Sequence, residues 1–263
     1  MIRLAKRAGK SVLSSVFASD YPRLIKMGAV ERPNYAYIVY QAADLARRLG
    51  LPAISVLEFG VAGGRGLLNL EHHAAKVSSL TGVAIEVYGF DTGMGLPPPK
   101  GFRDLPYIWQ ESNFKMDQNA LLARLDRAKL VFGLVEETVK TFTEKFNPAP
   151  IGAISFDLDY YSSTIECFPI LLVEPKYRLP RIFTYFDDIY SSDLGHVTAR
   201  VGVPLAIAEF NHAHPNHDIS PLTHLEFQYG PAKAWHRQIY SCASFDHPQF
   251  NQDIMKAKRE LSL

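Results

Sequence analysis

The chain has 263 residues, 47% of them hydrophobic, which is enough for one substantial core and within the length range of a single α/β domain. Lys and Arg total 28 against 27 Asp and Glu, with no long run of one sign, so no electrostatic footprint for nucleic acid stands out and a small or neutral partner is favoured. Two cysteines, Cys167 and Cys242, are too few for a disulfide framework and read as buried thiols in a reducing compartment, by default the cytoplasm.

Residues 1–19 open with four cations and continue into an apolar stretch broken by Ser11, Ser14 and Ser15. The pattern reads as an amphipathic or frayed helix rather than a signal peptide. No later segment reaches the ~18 apolar residues of a membrane span. "NYAYIVYQAADLARRLG" has helical periodicity and a glycine stop, and its tyrosines, Tyr35, Tyr37 and Tyr40, suit a homodimer surface or a cofactor lid. Residues 1–50 are expected as a helical extension, 51–250 as the main domain and 251–263 as a tail.

"ISVLEFG" (54–60) is the first of five apolar runs, followed by "AIEVYGFD" (84–91), "KLVFGLV" (129–135), "IGAISFDLD" (151–159) and "RIFTYFDD" (181–188). Their continuous apolarity suits strands buried on both faces, and helix-like stretches separate them: "RGLLNLEHHAAKVSSL", "QNALLARLDRAKL", "EETVKTFTEKF" and "SSTIECFPILLVEPKY". This alternation predicts a doubly wound, mostly parallel sheet. "LPPPKGFRDLP" (96–106) is too rich in proline for a buried element and is expected as a surface loop over the site. Residues 222–245 read as two antiparallel edge strands around a "YGPAK" turn.

The first strand runs into "VLEFGVAGGRG", a glycine-rich turn of the kind that lets a ligand approach the backbone. Its spacing is G-x-x-G-G-x-G rather than G-x-G-x-x-G, and Glu58 stands just before it. A pyrophosphate would be repelled there, whereas a sulfonium cation would be attracted. Asp91 ends the second strand, where doubly wound folds use an acid to take ribose hydroxyls. The two acids suit a nucleoside without phosphate, which describes S-adenosylmethionine.

Asp157 and Asp159 follow the fourth strand, and Asp187 and Asp188 the fifth. Ligands in open α/β sheets collect beyond the carboxyl ends of the strands, so the four acids should face one crevice. They would raise one another's pKa values unless a cation sat among them, and a hard divalent ion, magnesium first, is the economical partner. The competing reading is that Asp159 and Asp188 cap helices.

The segments "VLEFGVAGGRG", "YGFDTGMGLP", "GLVEET", "SFDLDYYSST" and "YFDDIY", over about residues 30–195, resemble in order the motifs of class I S-adenosylmethionine-dependent methyltransferases. The likeness is greatest to the macrocin O-methyltransferase group, metal-dependent enzymes that act on sugar hydroxyls of macrolide and aminocoumarin antibiotics. The resemblance implies a seven-stranded Rossmann-like methyltransferase fold. It also implies that Glu58, Gly60 and Gly64 line the methionine end of the cofactor and that Asp91 holds its ribose, with Val61, Ala62 and Thr92 completing the cofactor set. Asp157, Asp187 and Asp188 would bind magnesium, and Asp159 would be the general base. This chain has Leu158, Tyr160 and Gly93 where the family pattern has glycine, an aliphatic and a bulky residue.

The expected reaction is methyl transfer to a hydroxyl of a small-molecule acceptor, with positioning as the main source of rate. "FDLDYYSST" also resembles the first motif of haloacid-dehalogenase-type phosphatases, in which Asp157 would be the nucleophile and Asp159 the acid and base. A methyltransferase fold without chemistry is the third reading. "FNHAHPNHD" brings His212, His214, His217 and Asp218 together in sequence, but its spacing fits no common zinc site and it is expected as a solvated loop.

Overall fold

The computed structural model describes residues 20–190, 195, 198–228 and 231–255. The helix expected within 1–19 and the end of the expected tail lie outside the described residues.

Seven strands form one sheet: β1 (Ala53–Phe59), β2 (Ala84–Asp91), β3 (Lys129–Phe132), β4 (Ile151–Phe156), β5 (Arg178–Phe186), β6 (His217–Pro221) and β7 (Ile239–Ser244). Their order is β3-β2-β1-β4-β5-β7-β6. The first five pair in parallel and β7 pairs antiparallel with both β5 and β6. The order reverses direction at β1, and the crevice between β1 and β4 is where such sheets take ligands.

Helices cover both faces. A short helix α1 (Tyr21–Lys26) leads into α2 (Pro33–Leu49), which packs with α3 (Arg65–Thr81) on one face. Tyr35, Ile38, Val39 and Ala42 of α2 are fully buried against that face. At roughly 2 kcal/mol for each large apolar side chain removed from water, this burial outweighs the few tenths contributed by the exposed Asp44–Arg47 and Asp44–Arg48 pairs. The expected extension is therefore part of the core, and Tyr35 and Tyr37 are buried within the chain itself. The opposite face carries α5 (Val135–Phe146), α6 (Tyr161–Cys167) and α7 (Gly202–Ala213).

On that second face four phenylalanines stack across four strands. Phe90, Phe59, Phe156 and Phe186 are register partners in turn, with ring centroids 4.4, 5.7 and 4.7 Å apart and planes nearly parallel. Cross-strand aromatic pairs of this kind pin register. One residue further along each strand come Asp91, Gly60, Asp157 and Asp187, so the apolar row sets the polar row beyond it on a common level.

Five expected elements are placed differently. The strand expected from 222 lies earlier, at His217–Pro221, and takes the last histidine of the "solvated loop" into the sheet. Leu222 and Leu225 are three apart, a helical spacing, and the segment turns into α8 (Leu225–Gln228) and a 3-10 turn at Ala234–Gln238 before β7. The helix expected from "QNALLARLDRAKL" is confined to α4 (Gln118–Leu122). In "SSTIECFPILLVEPKY" the α-helix stops at Cys167 and continues as a 3-10 turn, because Pro169 has no N–H to give to the previous turn. β3 and β4 end at Phe132 and Phe156, which frees Gly133–Leu134 and Asp157–Asp159 as turns.

Candidate active site

Gly60 turns the chain out of β1 with φ +85°, and a Cβ there would lie 1.7 Å from the Asp157 carbonyl oxygen. The β1 and β4 ends can only approach this closely through glycine. Asp91 braces the turn from β2: its Oδ2 accepts from the Val61 and Ala62 N–H groups at 2.9 and 2.8 Å, and its Oδ1 from Gly93 N–H at 2.6 Å. The acid expected to hold the ribose knits two loops together, and it lines the cavity. The Thr92 hydroxyl donates to the Gly95 carbonyl and accepts from Met94 N–H.

Glu58 lies under the turn and is fully buried. Its Oε1 accepts from the Tyr35 hydroxyl at 2.6 Å, while Oε2 has no partner. Burial pushes its carboxyl up to about 8 despite the Tyr35 hydrogen bond. The space it occupies exists because residue 66 is glycine, where a Cβ would meet Oε1 at 1.9 Å.

Asp157, Asp187 and Asp188 each offer a carboxylate oxygen within 4.8 Å of the others. None forms an ion pair with a cation among the described residues. Burial and the charges of Asp187 and Asp188 raise Asp157 well above the usual carboxylate range. Burial first, then Asp188 and Asp187, push Asp159 up to about 8, and burial with Asp187 pushes Asp188 up to about 7. Both pairs of acids thus share one concentrated negative site.

Asp159 does not cap a helix. It sits at φ +60° in a turn closed by Tyr160 N–H to the Leu158 carbonyl at 2.6 Å, and its own N–H donates to Asp188 Oδ2 at 2.9 Å. A non-glycine residue in the left-handed region costs of order 1 kcal/mol, and such strain collects at functional sites. The start of α6 is capped instead by Asp104 of the proline-rich loop. This acid is almost fully buried and accepts from Ser162 N–H and Oγ at 2.7 and 2.8 Å and from Lys100 N–H at 2.7 Å. Lys100 pairs with Glu136 of α5 and Glu166 of α6 at 3.3 and 2.5 Å. The loop is thereby held over the crevice.

These groups surround a cavity of about 630 Å³, the size of a cofactor plus part of a substrate. Gly60, Ala62, Asp91 and Thr92 form one wall, and Gly133–Glu136 a second. Asp157–Asp159, Asp187 and Asp188 form the third, and Gly95–Lys100 with Trp109 and Phe114 close it. Glu58, Val61 and Gly64 stand behind the lining. His212 ends α7 and His217 enters β6, and they join no metal-binding group among the described residues. Tyr35, expected at a lid or a dimer surface, instead lies under the site as the partner of Glu58, and sequence reasoning missed Asp104, Lys100 and Tyr185 as individual members of the site. The partners of these four are 23 to 66 residues away or, for Tyr185, two residues away across a strand end, and no local pattern marks them.

No family model and no curated protein matches the sequence. Among solved structures the chain is similar to the O-methyltransferase NovP, with 13% identity over 80% of this chain and 78% of that one and a TM-score of 0.53. The chain has a Rossmann-like methyltransferase fold. Lower similarities include the calicheamicin methyltransferase CalS11 (18% identity, 69% of this chain and 77% of that one, TM-score 0.43) and an O-methyltransferase from Bacillus cereus in complex with SAH (15%, 90% and 97%, 0.42). Among the described residues no helix is long and apolar enough to cross a membrane.

Proposed function

We propose that the chain is an S-adenosylmethionine-dependent O-methyltransferase, assisted by a divalent ion and acting on a hydroxyl of a sugar or similar small molecule. The observation that carries this reading is one cavity with a glycine turn on one side and, on the other, three carboxylates within 4.8 Å of one another that pair with no Lys or Arg among the described residues. The donor set fits a hard divalent ion, which prefers carboxylate oxygen. The glycine turn, with Asp91 on the cavity wall beside it, fits a nucleoside that carries no phosphate.

In this reading Asp157, Asp187 and Asp188 hold the ion, and Gly60, Ala62 and Asp91 seat the donor. Bound there, the donor supplies an electrophilic methyl group and the ion supplies Lewis acidity toward the acceptor hydroxyl. Asp159, on the cavity wall beside these ligands, accepts the hydroxyl proton at its carboxylate. Leu158, Trp109 and the three prolines of the loop exclude water from that proton transfer. The motif fragment of a phosphatase leaves the glycine turn without a role, and an inert module would not preserve both acid sets. Tight calorimetric binding of S-adenosylmethionine, together with methyl transfer to a vicinal diol that magnesium stimulates and chelation abolishes, is the expected result. Binding without transfer to any diol would return the chain to the inert reading.

A further inference from the structure

We propose that Tyr185 is a positioning residue for Asp187: its hydroxyl fixes one carboxylate oxygen so that the other is presented to the ion. This rests on the metal-assisted reading above. Tyr185 stands near the end of β5 on the face beneath α2, and Asp187 follows the strand in the 3-10 turn Asp187–Ile189. The Tyr185 hydroxyl donates to Asp187 Oδ1.

Asp187 needs such a hold more than its neighbours do. Asp188 is buried, with Oδ2 already accepting from Asp159 N–H, whereas the Asp187 side chain is partly open to the cavity. Its backbone is fixed by the Gln238 amide, which donates to the Asp187 carbonyl at 2.8 Å. That leaves rotation about the side chain, and the tyrosine removes it. Tyr185 is itself held: it is 4% exposed, and its ring meets the edge of Tyr35 with centroids 5.6 Å apart. Tyr35 is fully buried, with its hydroxyl committed to Glu58. Neither ring can swing without breaking its hydrogen bond to a carboxylate, so α2 fixes the metal end of the site as well as the donor end.

A hydrogen bond from outside the ligand set orients the ligand, and its loss typically weakens metal binding about 10- to 100-fold. The test is Tyr185→Phe, which removes one oxygen and keeps the ring. Mn²⁺ binding is followed by electron paramagnetic resonance on the full chain without donor or acceptor. The expected result is an affinity about 10- to 100-fold weaker than wild type, with the thermal midpoint of the ion-free protein and the calorimetric affinity for S-adenosylmethionine both retained. Equal Mn²⁺ affinity in the two proteins overturns the role of Tyr185 and leaves the function reading standing. Absence of Mn²⁺ binding in wild type overturns both.

Discussion

Asp159 carries the sharpest prediction at the scale of single residues. Asp159→Asn removes the proposed base and keeps the turn, so methyl transfer should fall about 100- to 10,000-fold while S-adenosylmethionine affinity measured by calorimetry is unchanged. An equal loss of both would mean that the residue shapes the pocket rather than moving a proton. The acids were legible in the sequence because strand ends and paired aspartates are local signals. Asp104 was not. It sits in a proline-rich loop that reads as solvent-exposed, yet it is buried because the loop folds back onto α6, 58 residues away. Asp104→Ala strands the Ser162 and Lys100 N–H groups and should cost about 2–4 kcal/mol of stability in denaturant unfolding, more than an ordinary surface change.

The elements that place the site were read with mixed success, for a physical reason. The five parallel strands announce themselves by continuous apolarity, since both faces are covered by helices. The edge strands do not, because β6 is short, half exposed and polar (His217–Pro221), and only its pairing with β7 makes it a strand. The glycine turn was found by composition, but which glycines matter depends on what each faces. Gly60→Ala would drive a Cβ into the Asp157 carbonyl at positive φ and should cost more than about 3 kcal/mol or prevent folding. Gly63→Ala meets nothing within 4 Å and should stay within about 0.5 kcal/mol of wild type. Similar thermal midpoints for the two variants would contradict the close approach of β1 and β4.

For the whole molecule, the clustered acids tie stability to pH. Glu58, Asp159 and Asp188 keep their protons in the fold to about 8, 8 and 7, whereas an unfolded chain releases them near about 4. The folded state therefore binds more protons across that window. The stability these groups contribute is full below about 4 and is lost as pH rises through about 7–8. A divalent ion that binds the deprotonated acids opposes the loss, so the rise in thermal midpoint on adding magnesium should be larger near pH 8 than near pH 6. A shift independent of pH would place the ion elsewhere. The most direct measurement is the anomalous difference map of a crystal grown with S-adenosylhomocysteine and Mn²⁺. A manganese peak bonded to oxygens of Asp157, Asp187 and Asp188, with the nucleoside beside Gly60 and Asp91, is the predicted result. Ordered nucleoside with no metal peak, or aspartates turned away from one another, would contradict it.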